Sequence, residues 1–439
     1  MALLPQYQRL NLLKEAEPIL KIFNSEMIVG RFGEEITPSF AKSLANCLYN
    51  VFESNNMSFV IGLDSLNRSK ILEEVLVKEL SLLGCKIHLL GVTTAGATSF
   101  ATNFYKATAG VMITASARNK NYVGFKIFNG NGFAISDEQL SKLEYLYKNN
   151  YLREYTLKKG AIIEEKDFNE NYIDFLLKHS NFKTYPFNIA IDAGKGAGAF
   201  IANSFAPKLF QAFKLFGCNV DGENVNDFQE NIHYSNFDFY IKLSSDCDRL
   251  EIFIPNGKKI EGDFLIAFFA RVLQLQNAQF TLVSNLYTNN AYFKFFDKKK
   301  IKYYISGVGE KRLVEKMLKT NSEIGGEKFG AILNFDFLQT SDAFLSIINF
   351  FNCLCDYPQT FEEIAKIKLN PQVIKNAALN DNIKSDKFLN VLSAYEALLE
   401  NEGKIIVRQD KLYEKIQIFV ECPNESLAIK ICDNLINLI

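Results

Sequence analysis

Ser116 stands just beyond an apolar run, Gly110 to Ile113, and Lys126 follows ten residues later, past Tyr122 and Gly124. A hydroxyl at the mouth of a strand can carry a phosphoryl group, and a lysine on the returning segment can move a proton. Partial desolvation would draw the lysine pKa down toward use at neutral pH. A bare turn serine and a solvated surface lysine are the plainer alternatives. A second chemical cluster is Ser244-Ser245-Asp246-Cys247-Asp248-Arg249. Two carboxylates two residues apart in a tight loop can both face one ion, and hard oxygen ligands suit magnesium. An acidic surface turn is the alternative. The run Asp192-Ala193-Gly194-Lys195-Gly196-Ala197-Gly198 invites a nucleotide reading. The phosphate-cradling pattern needs Gly-Lys-Ser/Thr, which is absent, so a tight strand-to-helix turn is expected.

These residues need elements to hold them. Thr37-Pro38 reads as a helix N-cap followed by a first-turn proline, with Phe40, Leu44 and Leu48 inward. Phe59 to Gly62, Ile87 to Leu90 and Gly110 to Ile113 read as short buried strands, with a helix from Ser69 between the first two. This alternation is the signature of an α/β layer with largely parallel pairing. A polar, lysine-rich stretch from Leu152 to Tyr185 reads as a crossover to strands Phe187 to Ile191, Phe237 to Leu243 and Glu251 to Ile254. Pro255-Asn256-Gly257 marks a turn. A third unit follows, with a helix from Asp263, strands Phe280 to Val283, Lys302 to Ile305 and Ala331 to Phe335, and helices from Glu310 and Asp342. The last segment has a helix Lys387 to Leu399, strands Lys404 to Val407 and Lys415 to Cys422, and a closing helix from Asn424.

A chain of 439 residues exceeds one ordinary core, so two to four domains are expected. A net charge of −1 gives no electrostatic case for nucleic acid or an anionic membrane. No apolar run approaches the ~20 residues that cross a bilayer. Met1 to Leu20 lacks a basic region followed by an apolar core and reads as an amphipathic helix, not a secretory signal. The eight cysteines are scattered without zinc-site spacing, so reduced, mostly buried thiols and a cytoplasmic setting are expected. His88 sits in an apolar strand pattern and reads as structural.

The serine stretch resembles the phosphoserine loop of the α-D-phosphohexomutases, the family of phosphomannomutase, phosphoglucomutase and phosphoglucosamine mutase. There it reads Thr-Ala-Ser-His-Asn-Pro, then Tyr-Asn-Gly-x-Lys. Ser116, Tyr122, Gly124 and Lys126 match, whereas Ala117, Arg118 and Asn119 replace the histidine, asparagine and proline. The acidic turn resembles the family's Asp-Gly-Asp-x-Asp-Arg metal loop, with Ser244 in place of the first aspartate. Gly325-Gly326-Glu327-Lys328-Phe329-Gly330-Ala331 resembles the sugar loop Gly-Glu-x-Ser-Gly-His, with Phe329 and Ala331 replacing serine and histidine. The stretch around Gly309 resembles a further substrate loop. The terminal phosphate loop, Arg-x-Ser-Gly-Thr-Glu-Pro-x-x-Arg, survives only as Arg408, with Lys411 or Lys415 as substitute charges. Ile28-Val29-Gly30 stands where the family has Ile-Arg-Gly, and Asp64 with Arg68 partly keeps an Arg-Asp-x-Arg cluster.

The resemblance implies three related mixed α/β domains and a small C-terminal α+β domain around a central cleft. Its expected spans are 1–150 with the serine loop, 151–256 with the metal loop, 257–370 with the sugar loop and 371–439 with the eroded phosphate loop. It implies catalytic roles for Ser116, Lys126 and Arg249, and a weakened Mg2+ site on Ser244, Asp246 and Asp248. Hexose phosphate would contact Gly326, Glu327, Lys328, Gly309, Arg408 and Lys411. The expected activity is transfer of phosphoryl between the 1 and 6 positions through a phosphoserine and a sugar bisphosphate. The alternatives are an inactive relative that binds a phosphosugar or a protein partner, and a serine-linked phosphotransferase or phosphatase of other specificity.

Overall fold

The computed structural model describes residues 22–24, 27–54, 56–115, 121–219, 222, 227–400, 402–410 and 415–439. The expected helix over 1–20, the loop residues Ser116 to Lys120, and Lys411 lie outside them.

Four sheets carry the chain. The first has strands β1 (Ile28–Arg31), β2 (Ser58–Leu63), β3 (Lys86–Val92), β4 (Ala109–Thr114), β5 (Tyr122–Asn129) and β6 (Ile162–Glu164), in the order β1-β5-β4-β2-β3-β6. Strands β3, β2 and β4 are parallel, and β4 is buried at every position because helices cover both faces. The helix Pro38–Phe52 starts where the sequence places it: the Thr37 hydroxyl accepts from the Phe40 N–H at 3.1 Å, and proline follows the cap. Strand β5 runs antiparallel between β1 and β4, with Lys126 opposite Met112. It brings the chain straight back from the serine loop.

The second sheet holds β7 (Tyr185–Asp192), β8 (Phe210–Phe216), β9 (Phe239–Leu243), β10 (Leu250–Phe253) and β11 (Lys259–Ile260), ordered β11-β10-β9-β7-β8. Edge strand β8 follows the helix Gly198–Leu209 without a loop, so no turn residue announces it in the sequence. The third sheet holds β12 (Leu282–Asn285), β13 (Tyr303–Ser306), β14 (Ile324–Gly326) and β15 (Ile332–Asn334), ordered β13-β12-β14-β15. The fourth is antiparallel: β16 (Gln372–Ala378), β18 (Lys415–Glu421) and β17 (Lys404–Asp410), in that spatial order, packed against the helices Asp386–Leu399 and Glu425–Ile436.

The architecture is three mixed α/β layers and a small α+β unit. Apolar packing unites the second and third layers: Phe239 of β9 packs edge-on against Phe350 and Phe351 of the helix Ala343–Asp356. The first layer keeps a core of its own, built on Phe40, Phe59, Ile87 and Phe125. Among the described residues no helix is long and apolar enough to cross a membrane, and all eight cysteines are free thiols. His88, within β3, is buried with its Nδ1 2.7 Å from Glu165 Oε1.

Candidate active site

The serine loop is gripped at both ends. Asp64, just past β2, is fully buried. Its Oδ2 accepts from the Ala115 N–H at 2.9 Å, immediately before Ser116, and its Oδ1 accepts from Ser69 Oγ and the Leu66 N–H. Burial pushes the Asp64 carboxyl up, against the pull of these donors. Arg68, one turn further on, donates from Nε to the Tyr122 carbonyl where the chain rejoins β5. One short segment therefore fixes where residues 116–120 leave and re-enter the sheet.

The acidic turn lies between β9 and β10. Cys247, at φ 58°, makes the reversal, and Ser244 closes it in both directions with Cys247 and Arg249 through the backbone. Three layers hold this turn. The N–H groups of Ala95, Ala197 and Ala343 donate to the carbonyls of Asp246, Ser245 and Cys247 at 2.8 to 2.9 Å. Each donor sits at a helix start, where N–H groups lack partners within the helix. Close approach explains the glycine cluster: a Cβ on Gly196 would lie 2.7 Å from the Ser245 backbone, and one on Gly198 2.5 Å from Cys247 Sγ. The cluster is a packing surface for the acidic turn.

Lys126 joins the two halves. Its Nζ lies 2.7 Å from Asp246 Oδ2 and 2.6 Å from Asp248 Oδ2, with the lysine side chain 13% exposed and the carboxylates at most 5%. Arg249 Nε adds a contact of 3.3 Å to Asp248 Oδ1. Ser244 Oγ donates to Asp248 Oδ1 at 2.8 Å and accepts from the Arg249 N–H at 3.1 Å. The expectation of a depressed lysine pKa is corrected here. Burial does pull Lys126 down, but Asp246, Asp248 and Glu310 outweigh it and the net shift is upward. Burial likewise opposes Asp248, yet Lys126 and Arg249 hold it well below the usual carboxylate range. Asp246 goes up through burial and its neighbour Asp248.

This donor set does not fit the expected magnesium. Magnesium asks for near-octahedral oxygen ligands. The turn offers two carboxylates with an ammonium between them and a hydroxyl already committed to Asp248. Among the described residues no group of three or more histidine, cysteine, aspartate or glutamate side chains converges as a metal site.

The third layer supplies the sugar side. Gly309, at φ 106°, precedes the helix Glu310–Thr320, and Glu310 Oε1 accepts from Thr340 Oγ1 and the Ser341 N–H. Lys311 and Arg312 reach Asp137 of the first layer at 2.6 and 3.1 Å. Gly326 ends β14 and is followed by Glu327, whose Oε2 accepts from Asn285 Nδ2 at 2.8 Å. The Lys328 carbonyl accepts from the Gly262 N–H, and its Nζ lies 3.8 Å from Glu261. Burial pushes the Tyr287 phenol up, Arg408 on β17 draws it down and Glu327 pushes it up again; the net shift is upward. Tyr287 Oη also donates to Gln417 at 2.5 Å and packs edge-on against Phe329 and Phe419. Tyr287 is a buried tyrosine on this side of the molecule that sequence reading missed. Its only local signal is the turn-like run that follows β12.

Two family models match. The one described as "Phosphoglucomutase/phosphomannomutase, alpha/beta/alpha domain I" covers residues 20–154, and its domain III counterpart covers residues 261–370. The chain belongs to the α-D-phosphohexomutase family. It is an enzyme chain of the mutase class. It is 26% identical to a phosphoglucosamine mutase of Bacillus velezensis over 439 residues, 95% of this chain and 98% of that one. Its fold matches a phosphoglucomutase/phosphomannomutase family protein of Burkholderia thailandensis with a TM-score of 0.79 at 15% identity, covering 95% and 96% of the two chains. It also matches a putative phosphomannomutase of Thermus thermophilus with a TM-score of 0.77 at 19% identity, covering 96% and 100%.

Proposed function

We propose that this phosphohexomutase moves a phosphoryl group between the 1 and 6 positions of a hexose phosphate, with Ser116 as its carrier. A sugar hydroxyl attacks the phosphorus of phosphorylated Ser116. The Ser116 Oγ leaves and takes up the proton that the attacking hydroxyl gives up. The bisphosphate turns in the cleft, and Ser116 Oγ then attacks the other phosphorus, releasing the isomeric monophosphate and restoring the phosphoserine. The transition state is loose, so alignment and charge neutralisation are the main demands. Asp64 and Arg68 answer the first by holding the loop stem. Lys126 and Arg249 answer the second as fixed cations. Glu327 accepts sugar hydroxyls, and Gly326, Lys328 and Gly309 shape that side of the cleft. Arg408, with Lys411, meets the distal phosphate. No step is assigned to magnesium.

The observation that carries this reading is the meeting of Lys126, on the strand returning from Ser116, with the acidic turn of the next layer. The test has two parts. Intact-mass and peptide analysis of fresh protein should find one phosphate on Ser116. Incubation with glucosamine 6-phosphate, glucose 1-phosphate or mannose 1-phosphate, each with its 1,6-bisphosphate, should yield the isomer. No isomer from any of them at high enzyme concentration rejects the reading.

A second reading, a relative that binds a phosphosugar without turning it over, is favoured by the fourth unit. Arg408 pairs with Gln417 and Asp410 with Lys415 in regular antiparallel register, where the family has a nest of hydroxyls and backbone amides. An unphosphorylated Ser116 together with saturable hexose phosphate binding would decide for it.

A further inference from the structure

We propose that the Lys126 ammonium is the resident cation of the acidic turn, standing in the seat that the family gives to magnesium, so that this chain neutralises the turn internally and takes up no divalent ion there. The inference rests on the reading of this cleft as a phosphosugar site, but its test needs no turnover.

Three observations carry it. The first is position: one nitrogen lies within 2.7 Å of a carboxylate oxygen from each of Asp246 and Asp248. A divalent ion bridging those oxygens would have to occupy the space that the ammonium fills. The second is charge. With Ser244 in place of a third carboxylate, the turn carries two negative charges, and Lys126 and Arg249 match them. Glu310 adds a more distant negative charge to the field on Lys126. In the unphosphorylated chain a dication added to this set would leave the pocket positive, in a buried place where uncompensated charge is costly. The third is commitment. The Ser244 hydroxyl is used within the turn, donating to Asp248 and accepting from the Arg249 N–H. It is therefore spent on holding Asp248 against Lys126. Lys126 is a residue the family pattern also has, so the departure lies in Ser244: removing a carboxylate lowers the charge that the cation must balance from that of a metal to that of an amine. A cation on a covalent stem is present at unit occupancy whatever the metal concentration.

The experiment compares divalent binding by the full chain, wild type, Ser244→Asp and Lys126→Met, with the phosphorylation state of each fixed by intact mass. Free Mn2+ is followed by electron paramagnetic resonance, and melting is recorded in EDTA and in millimolar MgCl2. Wild type should bind no Mn2+ saturably and melt at one temperature in both media. Ser244→Asp, which restores the third carboxylate, should bind one Mn2+ per chain with a gain of about ten-fold or more in affinity. Lys126→Met should melt low in EDTA and recover in MgCl2. If Lys126→Met does not fold, Ser244→Asp alone decides. One Mn2+ held tightly by the wild type, or a Ser244→Asp chain that binds no better than wild type, overturns the proposal. An inactive but phosphorylated or unphosphorylated enzyme bears only on the preceding reading.

Discussion

At the scale of single residues, the site is a balance of buried charges, and removing one partner exposes the others. Lys126→Met leaves Asp246 and Asp248 adjacent and buried. Breaking such a set typically costs about 3–5 kcal/mol, so urea unfolding of the variant should show a loss of that order, and mutase turnover should fall by about 10²-fold or more. Asp64 acts through the loop it holds. Asp64→Ala strips acceptors from the Ala115 N–H, the Leu66 N–H and Ser69 Oγ. Stability should fall by about 1–3 kcal/mol, and protease cleavage within residues 116–120 should speed up. A variant as stable and as resistant as wild type would show that the loop stem is fixed by other means.

At the scale of elements, helix starts do unusual duty. The helix Ala343–Asp356 gives its Ala343 N–H to the acidic turn, while its cap, Asp342, accepts from the Leu345 N–H at 2.9 Å and from the Tyr172 hydroxyl. Asp342 is buried, and burial pushes its carboxyl up to about 6 against those donors. The sign follows from proton counting. Below the unfolded value of 3.8 both states are protonated; as pH rises from there to about 6, the unfolded chain releases its proton first. Stability attributable to this group therefore falls over that window and is level above it. Asp342→Asn keeps an acceptor and removes the charge, so its stability relative to wild type should rise from pH 4 to pH 6.5 by about 1–3 kcal/mol. Denaturant midpoints measured across that range check it; a difference independent of pH rules it out. The element level also holds what sequence patterning lost. Strand β16 (Gln372–Ala378) alternates half-buried and exposed residues and has no fully buried position, and β8 begins where a helix ends, so neither has a buried apolar run to mark it.

At the scale of the whole molecule, the small fourth unit is locked onto the third. Glu421 is fully buried; it accepts from the Asn290 N–H at 2.8 Å and from Gln372 Nε2 at 2.8 Å, and Lys404 Nζ lies 3.2 Å away. Lys404 is pulled down by burial despite Glu421. Glu421→Ala removes the carboxylate from that ammonium and leaves it only the Thr288 carbonyl and Asn290 Oδ1 at the seam. Hydrogen exchange should accelerate across Gln372–Ala378 and Lys404–Asp410 but not in the first sheet, with a stability loss of about 3–5 kcal/mol. Uniform acceleration over all four sheets would instead mean that the seam has no independent opening.

By themselves, the residues determined the order of the elements that carry a buried run or a cap, because those are local patterns: Thr37, Asp342 and Asn424 cap the helices they were expected to start. They also determined the family, because Ser116, Lys126, Asp246, Asp248, Arg249 and Glu327 keep the family's types, spacing and order. What they could not reveal was which charge faces which. The engagement of Lys126 by two carboxylates from another layer, the grip of Asp64 and Arg68 on the loop stem, and the bond from the Tyr287 hydroxyl to Gln417 join residues far apart in the chain. Only folding sets those distances, and in a buried site it is distance and desolvation, not residue type, that decide whether a lysine moves a proton or holds its charge.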